Sequence, residues 1–198
     1  MPAFYETTVR IPKERVGVLI GTKGRVKRRI EEETGARLIV DSGTGEVRIV
    51  FPERPRDPLM PMKLESVIRA IGRGFSPEKA LKLLNDEYML EIIDLRRFVG
   101  DSKNALRRVR GRLIGAGGKA RTYIERRTGT DISVYGHTVS IIGRHYDVLP
   151  AKEAIIALIE GARHSTAYRR MEKKIAEMRE REAMEELLAL RERRSEEA

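Results

Sequence analysis

One pattern occurs twice in the chain. Residues 19–35 have the sequence LIGTKGRVKRRIEEETG, and residues 113–129 have the sequence LIGAGGKARTYIERRTG. The two segments align without a gap at a constant offset of 94 (113 − 19), and eight positions are identical. A repeat constrains the fold more than composition does, because each copy must form the same supersecondary unit.

Each copy predicts the element order β-α-α-β-β-α. Alternating apolar residues predict strands at 5–11, 37–40, 47–51, 90–98, 131–134 and 138–142. A short helix ends at the first glycine of each G-x-x-G turn, a second helix ends at Gly35 or Gly129, and a final helix covers 62–71 or 149–162. The predicted fold class is α+β, with two domains that each hold a three-stranded sheet covered by helices.

The predicted first domain is 1–84, and it includes a proline-rich connection at 52–61 and an extra helix capped by Ser76 and Pro77. The second domain is 85–165, and a charged C-terminal helix occupies 166–198. This last segment is net neutral from Arg169 onwards, and its apolar spacing fades after residue 178. We expect its first turns to pack on the second domain and its end to be solvated; a partner-binding helix is the alternative.

Charge and composition limit the classes of function that the protein can have. The chain has 198 residues, with 40 Lys and Arg against 30 Asp and Glu, a net charge of +10, and no cysteine. The missing thiols exclude disulfides, zinc-thiolate sites and thiol catalysis. The positive charge favours a polyanionic partner, nucleic acid before an anionic membrane, over a merely soluble basic protein. No segment has the pattern of a signal peptide or a spanning helix, so we expect a cytoplasmic protein.

Three interpretations of the glycine-rich turn compete. A Walker A loop is excluded because Leu113 and Ala120 stand where glycine and a hydroxyl residue are required. A dinucleotide fingerprint matches Gly115, Gly117 and Ala120, but a helical pattern precedes it and no acidic residue lies in 134–146. The third interpretation is a G-x-x-G clamp between two helices, the signature of a KH domain that holds a nucleic-acid backbone.

The clamp hypothesis identifies a set of RNA-binding candidates. Glycine lets the sugar-phosphate backbone approach, the following helix offers its N-terminal N–H groups, basic residues surround the turn, and apolar residues line a groove for bases. The candidates are Gly21, Thr22, Lys23, Gly24, Arg25, Lys27, Arg28, Arg110, Arg112, Ile114, Gly115, Ala116, Gly117, Gly118, Lys119, Arg121, Thr122, Ile132 and Val134. A KH fold used only for protein contacts is the alternative.

The two copies carry unequal charge. Residues 1–51 have 10 basic and 7 acidic side chains, net +3, whereas residues 103–149 have 10 basic and 3 acidic side chains, net +7. The acidic residues at 31–33 lower the field around the first turn. We therefore expect the second copy to bind RNA more strongly.

The paired units, the segment IGRGFSPEKALKLL between them and GRLIGAGGKARTYIE in the second unit resemble the archaeal form of the Dim/Pno-type ribosome-assembly factors. The resemblance covers about residues 5–165. It implies two packed type I KH domains that bind near the 3′ end of small-subunit rRNA. It also implies two protein partners, the Nob-type endonuclease and the alpha subunit of initiation factor two. Eukaryotic members tend to have a degraded first glycine turn, whereas Gly21-Thr22-Lys23-Gly24 is intact.

Two other functions compete with ribosome assembly. One is a general tandem-KH regulator that acts on messenger or exosome-bound RNA. The other is an enzyme, which the sequence does not favour: His137, His145 and His164 fall in no catalytic motif, and no carboxylate pair or nucleophile-base set has recognisable spacing. We therefore predict a binding protein with no catalytic residues, metal or cofactor.

Overall fold

The observed elements follow the predicted order in both copies. The structure, a computed structural model, describes residues 4–196. The strands are β1 (Tyr5–Arg10), β2 (Arg37–Asp41), β3 (Glu46–Phe51), β4 (Tyr88–Asp94), β5 (Asp131–Tyr135) and β6 (Thr138–Arg144). The helices are α1 (Lys13–Ile20), α2 (Arg25–Thr34), α3 (Met60–Gly72), α4 (Pro77–Ala80), α5 (Arg96–Val99), α6 (Lys103–Ile114), α7 (Lys119–Thr128), α8 (His145–Ile159) and α9 (His164–Glu196). The predicted α+β class, with two three-stranded sheets and a C-terminal helix, is confirmed.

Several element boundaries differ from the prediction. Strand β4 ends at Asp94, because the Asp94 carboxylate accepts a hydrogen bond from the backbone N–H of Arg96 at 3.0 Å and turns the chain into α5. The final helix of each copy starts early, α3 at Met60 and α8 at His145. Pro150 lies buried inside α8 and does not mark its start.

In the first sheet the strand order is β1-β3-β2, and both pairings are antiparallel. The register places Leu38 opposite Ile49. Both side chains are buried in one core with Leu19 and Ile30, the apolar residues that flank the first glycine turn. The predicted period-2 alternation therefore puts one face of the sheet against the helices that hold the turn.

The contacts divide the chain into two compact units that differ from the sequence repeat. One unit contains the described residues up to Ile93 together with Ser133–Ile142, and the other contains Asp94–Ile132 and the described residues from Gly143 onwards. Most of β5 and β6 thus belongs to the first unit. The domain boundaries after residues 84 and 165 remain predictions, because spatial contact and sequence repetition divide this chain differently.

Arg15 on α1 joins several elements of the first unit. Its guanidinium donates hydrogen bonds to the backbone carbonyls of Ile71, at 2.8 Å, and Phe75, at 2.7 Å. The same group lies 5.8 Å from the centroid of the Tyr135 ring. The Tyr135 hydroxyl donates to a Glu14 carboxylate oxygen at 2.6 Å. These bonds link α1, the end of α3 and β5 within one unit.

The extra helix in the first unit starts as predicted. The Ser76 hydroxyl accepts a hydrogen bond from the backbone N–H of Lys79 at 3.4 Å, and Pro77 is the first helical residue. The helix is short and continues as a 3₁₀ turn over Leu81–Leu84. Both pieces pack on α3, so the predicted docking occurs inside the first unit.

The second unit contains helices α5 to α9. Its buried residues include Leu113, Ile124 and Leu158, and α9 adds Met171 and Met178. Leu187, farther along α9, is 63% exposed. The N-terminal part of α9 is therefore packed and its C-terminal part is solvated, as expected. None of the helices within residues 4–196 is long and apolar enough to cross a membrane.

Candidate nucleic-acid interface

The two glycine turns have the same backbone geometry. In each, the N–H of the first glycine donates to a carbonyl four residues back, Gly21 to Gly17 at 2.9 Å and Gly115 to Gly111 at 2.8 Å. The second glycine then donates to the first at 3.1 Å in both copies. We call Gly21–Gly24 the first turn and Gly115–Gly118 the second turn. Each connects two helices through a short 3₁₀ segment, as the clamp hypothesis requires.

The first glycine of each turn is needed by the fold itself. A Cβ atom at Gly115 would lie 2.7 Å from the Cβ and 2.8 Å from the N of Ala120, and φ there is +73°. At Gly21 a Cβ would lie 2.4 Å from Cγ2 of Val26. These distances are too short for any side chain. The glycine at this position therefore lets two helices meet closely.

The second glycine of each turn faces open space. Gly118 has φ of +80°, and a Cβ built on it would meet no atom within 4 Å; the same holds for Gly24 with φ of +75°. The left-handed backbone favours glycine, but no neighbour would clash with a side chain. A ligand backbone can therefore approach this position from solvent.

The helices that follow the turns have no side-chain cap at their N-terminal ends. Neither α2 nor α7 has a side-chain hydrogen bond at its N-cap, and neither has an acidic residue in its first turn. The first N–H groups of an α-helix lack partners within the helix, and its N-terminal end carries partial positive charge. Each turn therefore presents donors and positive potential where a phosphate would lie.

The predicted basic residues fall into two groups. Lys23, Arg25, Arg28 and Lys119 are exposed. Others are partly engaged: Lys27 lies 3.9 Å from Glu31, and Arg121 lies 3.8 Å from Glu125. Arg28 also donates to the Lys23 carbonyl at 2.8 Å, so its side chain braces the first turn.

Arg112 makes hydrogen bonds to backbone carbonyls far away in sequence, which the sequence did not indicate. Its guanidinium donates to the carbonyl of Leu158 at 3.2 Å and to that of Ala162. The Arg112 carbonyl in turn lies 3.0 Å from Nε2 of His164. Arg112 thus ties α6 to the end of α8 and the start of α9. Arg110, two residues earlier, is half-buried.

The remaining candidates differ in accessibility. Thr22, Ala116, Gly117 and Thr122 are exposed on or beside the turns. Ile114 and Val134 are half-buried, whereas Ile132 is only 6% exposed. Ile114 therefore offers apolar surface beside the second turn, and Ile132 contributes mainly to packing.

One identical position of the repeat, Glu31 and Glu125, has a structural purpose that spacing alone did not reveal. Glu31 accepts a hydrogen bond from the N–H of Leu38 at 2.8 Å, and Glu125 accepts one from Ile132 at 2.8 Å. Each glutamate therefore anchors the helix after the turn to the start of the next strand. The signal was present in the sequence as an identity at offset 94, but the sequence alone indicated only that Glu31 lowers the field around the first turn.

The two turns differ at their third residue. Lys23 has φ of +52° and is the one non-glycine residue with positive φ in residues 4–196, whereas the equivalent Gly117 has φ of +59°. A lysine in the left-handed region is strained, and glycine is not. The second turn therefore reaches the same geometry without strain and without a side chain at this position.

No cluster of three metal-ligating side chains (His, Cys, Asp or Glu) occurs within the part of the chain that the structure describes. Two of the three histidines make contacts within the fold. Nε2 of His164 contacts a backbone carbonyl, and the His145 ring meets Tyr146 edge-on at 5.6 Å. These contacts are structural ones.

Family models match both copies of the repeat. A family model described as KH domain matches residues 6–86, and one described as eukaryotic type KH-domain (KH-domain type I) matches residues 89–176. The fold and the two glycine turns thus define an RNA-binding protein with two KH domains.

Individual relatives identify the family of this chain more specifically. A KH domain-containing protein of Methanocaldococcus jannaschii is 50% identical over 83% of this chain and 72% of its own length. The pre-rRNA-processing protein pno1 of Schizosaccharomyces pombe is 27% identical over 87% of this chain and 72% of its own. Dim2p of Pyrococcus horikoshii superposes with a TM-score of 0.79 at 46% identity, covering 85% of this chain and 99% of that one. Its complex with a/eIF2alpha and rRNA gives 0.81 at 45% identity, covering 87% and 95%.

The chain belongs to the archaeal Dim2/Pno1-type family of KH proteins. The predicted resemblance is confirmed. The protein is thereby an RNA-binding KH protein related to ribosome-biogenesis factors.

Proposed function

We propose that the protein is a non-catalytic ribosome-assembly factor that binds single-stranded rRNA near the 3′ end of the small subunit. The observation that carries this proposal is the open second glycine, Gly118, at the uncapped N-terminus of α7. The relative Dim2p of Pyrococcus horikoshii, 45% identical, has been solved in a complex with rRNA.

The second turn acts as the principal clamp in this proposal. The RNA backbone approaches Gly118, where a phosphate accepts hydrogen bonds from the first N–H groups of α7. Lys119 supplies positive charge at the same place, and Arg121 supplies it two residues further along the helix. The partly exposed side chain of Ile114 offers an apolar contact for a base. The first turn, which is strained at Lys23 and lies closer to acidic residues, contributes less.

Protein partners follow from the same relationship. The Dim2p complex also contains a/eIF2alpha, so we include the alpha subunit of initiation factor two as a partner of this chain. The Nob-type endonuclease, which the sequence resemblance implies, is a second proposed partner. In this scheme the chain itself holds RNA and cleaves nothing, and it acts in the cytoplasm.

The test is a binding titration with three RNAs of equal length. One is the 3′-terminal segment of the organism's small-subunit rRNA, one is its shuffled sequence and one is an internal single-stranded segment. We expect the terminal RNA to bind at least about tenfold more tightly, which corresponds to about 1.4 kcal/mol. Equal affinity for all three would instead favour the general tandem-KH regulator.

Paired variants test the clamp in the same assay. Gly118→Asp places a side chain and a negative charge where the phosphate is proposed to lie, and aspartate tolerates the left-handed backbone better than most residues. We expect at least tenfold weaker binding with the fold retained. Gly24→Asp, the matched change in the first turn, should cost less. Affinity within about twofold of wild type for Gly118→Asp would refute the clamp.

A further inference from the structure

The outer face of α7 carries an aromatic and basic surface beside the second turn. Lys119, Thr122, Tyr123 and Arg126 are spaced at i, i+3, i+4 and i+7, so they share one face of the helix. All four are exposed. Together with Gly117 and Arg127 they line a groove of about 590 Å³. We call the four residues of this face the α7 platform. Because Gly117 and Lys119 also belong to the clamp, the groove is continuous with it.

Tyr123 is exposed but held in place. Its ring centroid lies 4.3 Å from that of Tyr168 on α9, with 43° between the ring planes, and 39% of the residue stays exposed. Tyr168 in turn packs edge-on against His164 at 6.0 Å. Burial, and then the neighbouring Tyr123, raises the pKa of Tyr168. A ring already fixed by a partner loses little further conformational freedom when a ligand stacks on it.

The helix behind the platform is anchored independently of any ligand. Arg127 donates two hydrogen bonds of 2.6 Å to the carboxylate of Glu172 on α9. This bidentate ion pair compensates the Arg127 charge and fixes the distance between α7 and α9. Arg126, the adjacent residue, is exposed on the platform face. The positive charge that faces the groove therefore comes from Lys119 and Arg126.

The first copy of the repeat lacks these features. At the offset of 94, Tyr123 corresponds to Arg29, and Arg126 and Arg127 correspond to Glu32 and Glu33. Arg29 donates to Glu33 at 2.7 Å and is thereby neutralised. The fold of the repeat therefore requires neither an aromatic ring nor positive charge on this face. Their presence in the second copy points to a role beyond folding.

We propose that the α7 platform is an RNA-binding subsite that takes a nucleotide flanking those held by the second turn, with its base stacked on Tyr123 and its phosphate near Arg126. Every nucleobase has a π-face, so stacking on tyrosine tolerates any sequence. The platform extends the RNA path along α7 and makes affinity depend on RNA length. This inference rests on the proposed RNA clamp, and the experiment separates the two.

The experiment compares two lengths of single-stranded RNA. A KH turn clamps about four nucleotides, so a tetranucleotide tests the clamp, and the same sequence extended by four nucleotides at either end tests the platform. Tyr123→Leu keeps apolar packing against Tyr168 but removes the stacking face. Arg126→Glu introduces the residue type of the first copy. Tyr5→Leu, an equally exposed tyrosine in the first unit that packs on Phe51, is the matched control.

We expect Tyr123→Leu to weaken binding of an extended RNA about tenfold while its tetranucleotide affinity stays within about twofold of wild type. Arg126→Glu should show the same selectivity, and Tyr5→Leu should bind both RNAs normally. A 2-aminopurine base placed in the extension gives a direct readout, because stacking quenches its fluorescence. The quenching should appear with wild type and disappear with Tyr123→Leu, which a merely structural role would not produce.

The outcomes distinguish the platform from the clamp. Normal binding and quenching of every extended RNA by Tyr123→Leu would overturn the platform, even if Gly118→Asp fails to bind. Loss of extended-RNA binding by Tyr123→Leu together with normal binding by Gly118→Asp would support the platform and overturn the clamp. Equal loss of tetranucleotide and extended RNA by Tyr123→Leu would also overturn the platform, because the defect would then lie in the clamp.

Discussion

At the scale of single residues, the two glycines of a turn have different tasks. The first, Gly115, allows helices α6 and α7 to meet, since any Cβ would collide with Ala120. The second, Gly118, faces solvent and leaves room for a ligand. A motif that looks symmetric in sequence therefore combines one glycine that the fold requires with one that the proposed clamp uses for binding.

This division predicts unequal effects of two alanine substitutions on stability. Gly115→Ala should lower the free energy of unfolding by about 2–3 kcal/mol, because its backbone, with φ of +73° and ψ of 172°, is available almost only to glycine and the Cβ would clash. Gly118→Ala should cost only about 1 kcal/mol, since the left-handed backbone is its only penalty. Urea denaturation of both variants checks this. Equal stability losses would contradict the division of tasks.

At the scale of elements, the sequence predicted the helices and strands better than their ends. The repeat and the alternation of apolar residues identified both copies, because these patterns follow directly from helix and strand periodicity. The early starts of α3 and α8 were missed, since tertiary packing extends helices beyond local signals. The roles of Arg112 and Arg15 were also missed, because their acceptors are backbone carbonyls far away in sequence.

Arg15 illustrates how one side chain connects elements. Its two bonds to the carbonyls of Ile71 and Phe75 come from a charged donor, a class worth about 1.5–3 kcal/mol each when broken in a protected site. Because Arg15 is only partly buried, we expect Arg15→Ala to lower the free energy of unfolding by about 2 kcal/mol. Arg10→Ala is the control, because the exposed Arg10 makes one 3.3 Å bond to Thr44. Thermal denaturation showing equal effects would refute this role.

The C-terminal helix offers a prediction about a whole segment. Its buried residues end at Met178, and beyond them Glu182 pairs with Arg144 at 3.5 Å while Glu185 accepts from Tyr146. Exposed pairs of this kind contribute about 0–1 kcal/mol. A chain ending at Arg179 should therefore keep its RNA affinity and melt within a few degrees of the full chain. Lost RNA affinity with unchanged melting would mean that residues 180–198 contact RNA.

At the scale of the whole molecule, the charge of +10 is distributed unevenly between the copies. Sequence alone predicted this asymmetry, but the structure changes its explanation. Glu31 has the same anchoring role as Glu125, so it does not distinguish the copies. The charge difference lies in Glu32 and Glu33 against Arg126 and Arg127. Lys23 against Gly117 adds a positive charge to the first turn, and the two residues differ in backbone strain. The candidate site was thus located from sequence, whereas the task of each residue required the three-dimensional contacts.

The central claim is that the second turn is the principal RNA clamp, and salt dependence tests it most directly. Each phosphate contact to a single strand contributes roughly 0.7 to the slope of log affinity against log salt concentration. Titrations with one short single-stranded RNA at several salt concentrations should compare Lys119→Ala/Arg121→Ala with Lys23→Ala/Arg25→Ala. We predict that the Lys119/Arg121 variant loses more affinity and up to about 1.4 of slope, for two contacts. A larger loss of both in the Lys23/Arg25 variant would contradict the claim and make the first turn the main RNA-binding site.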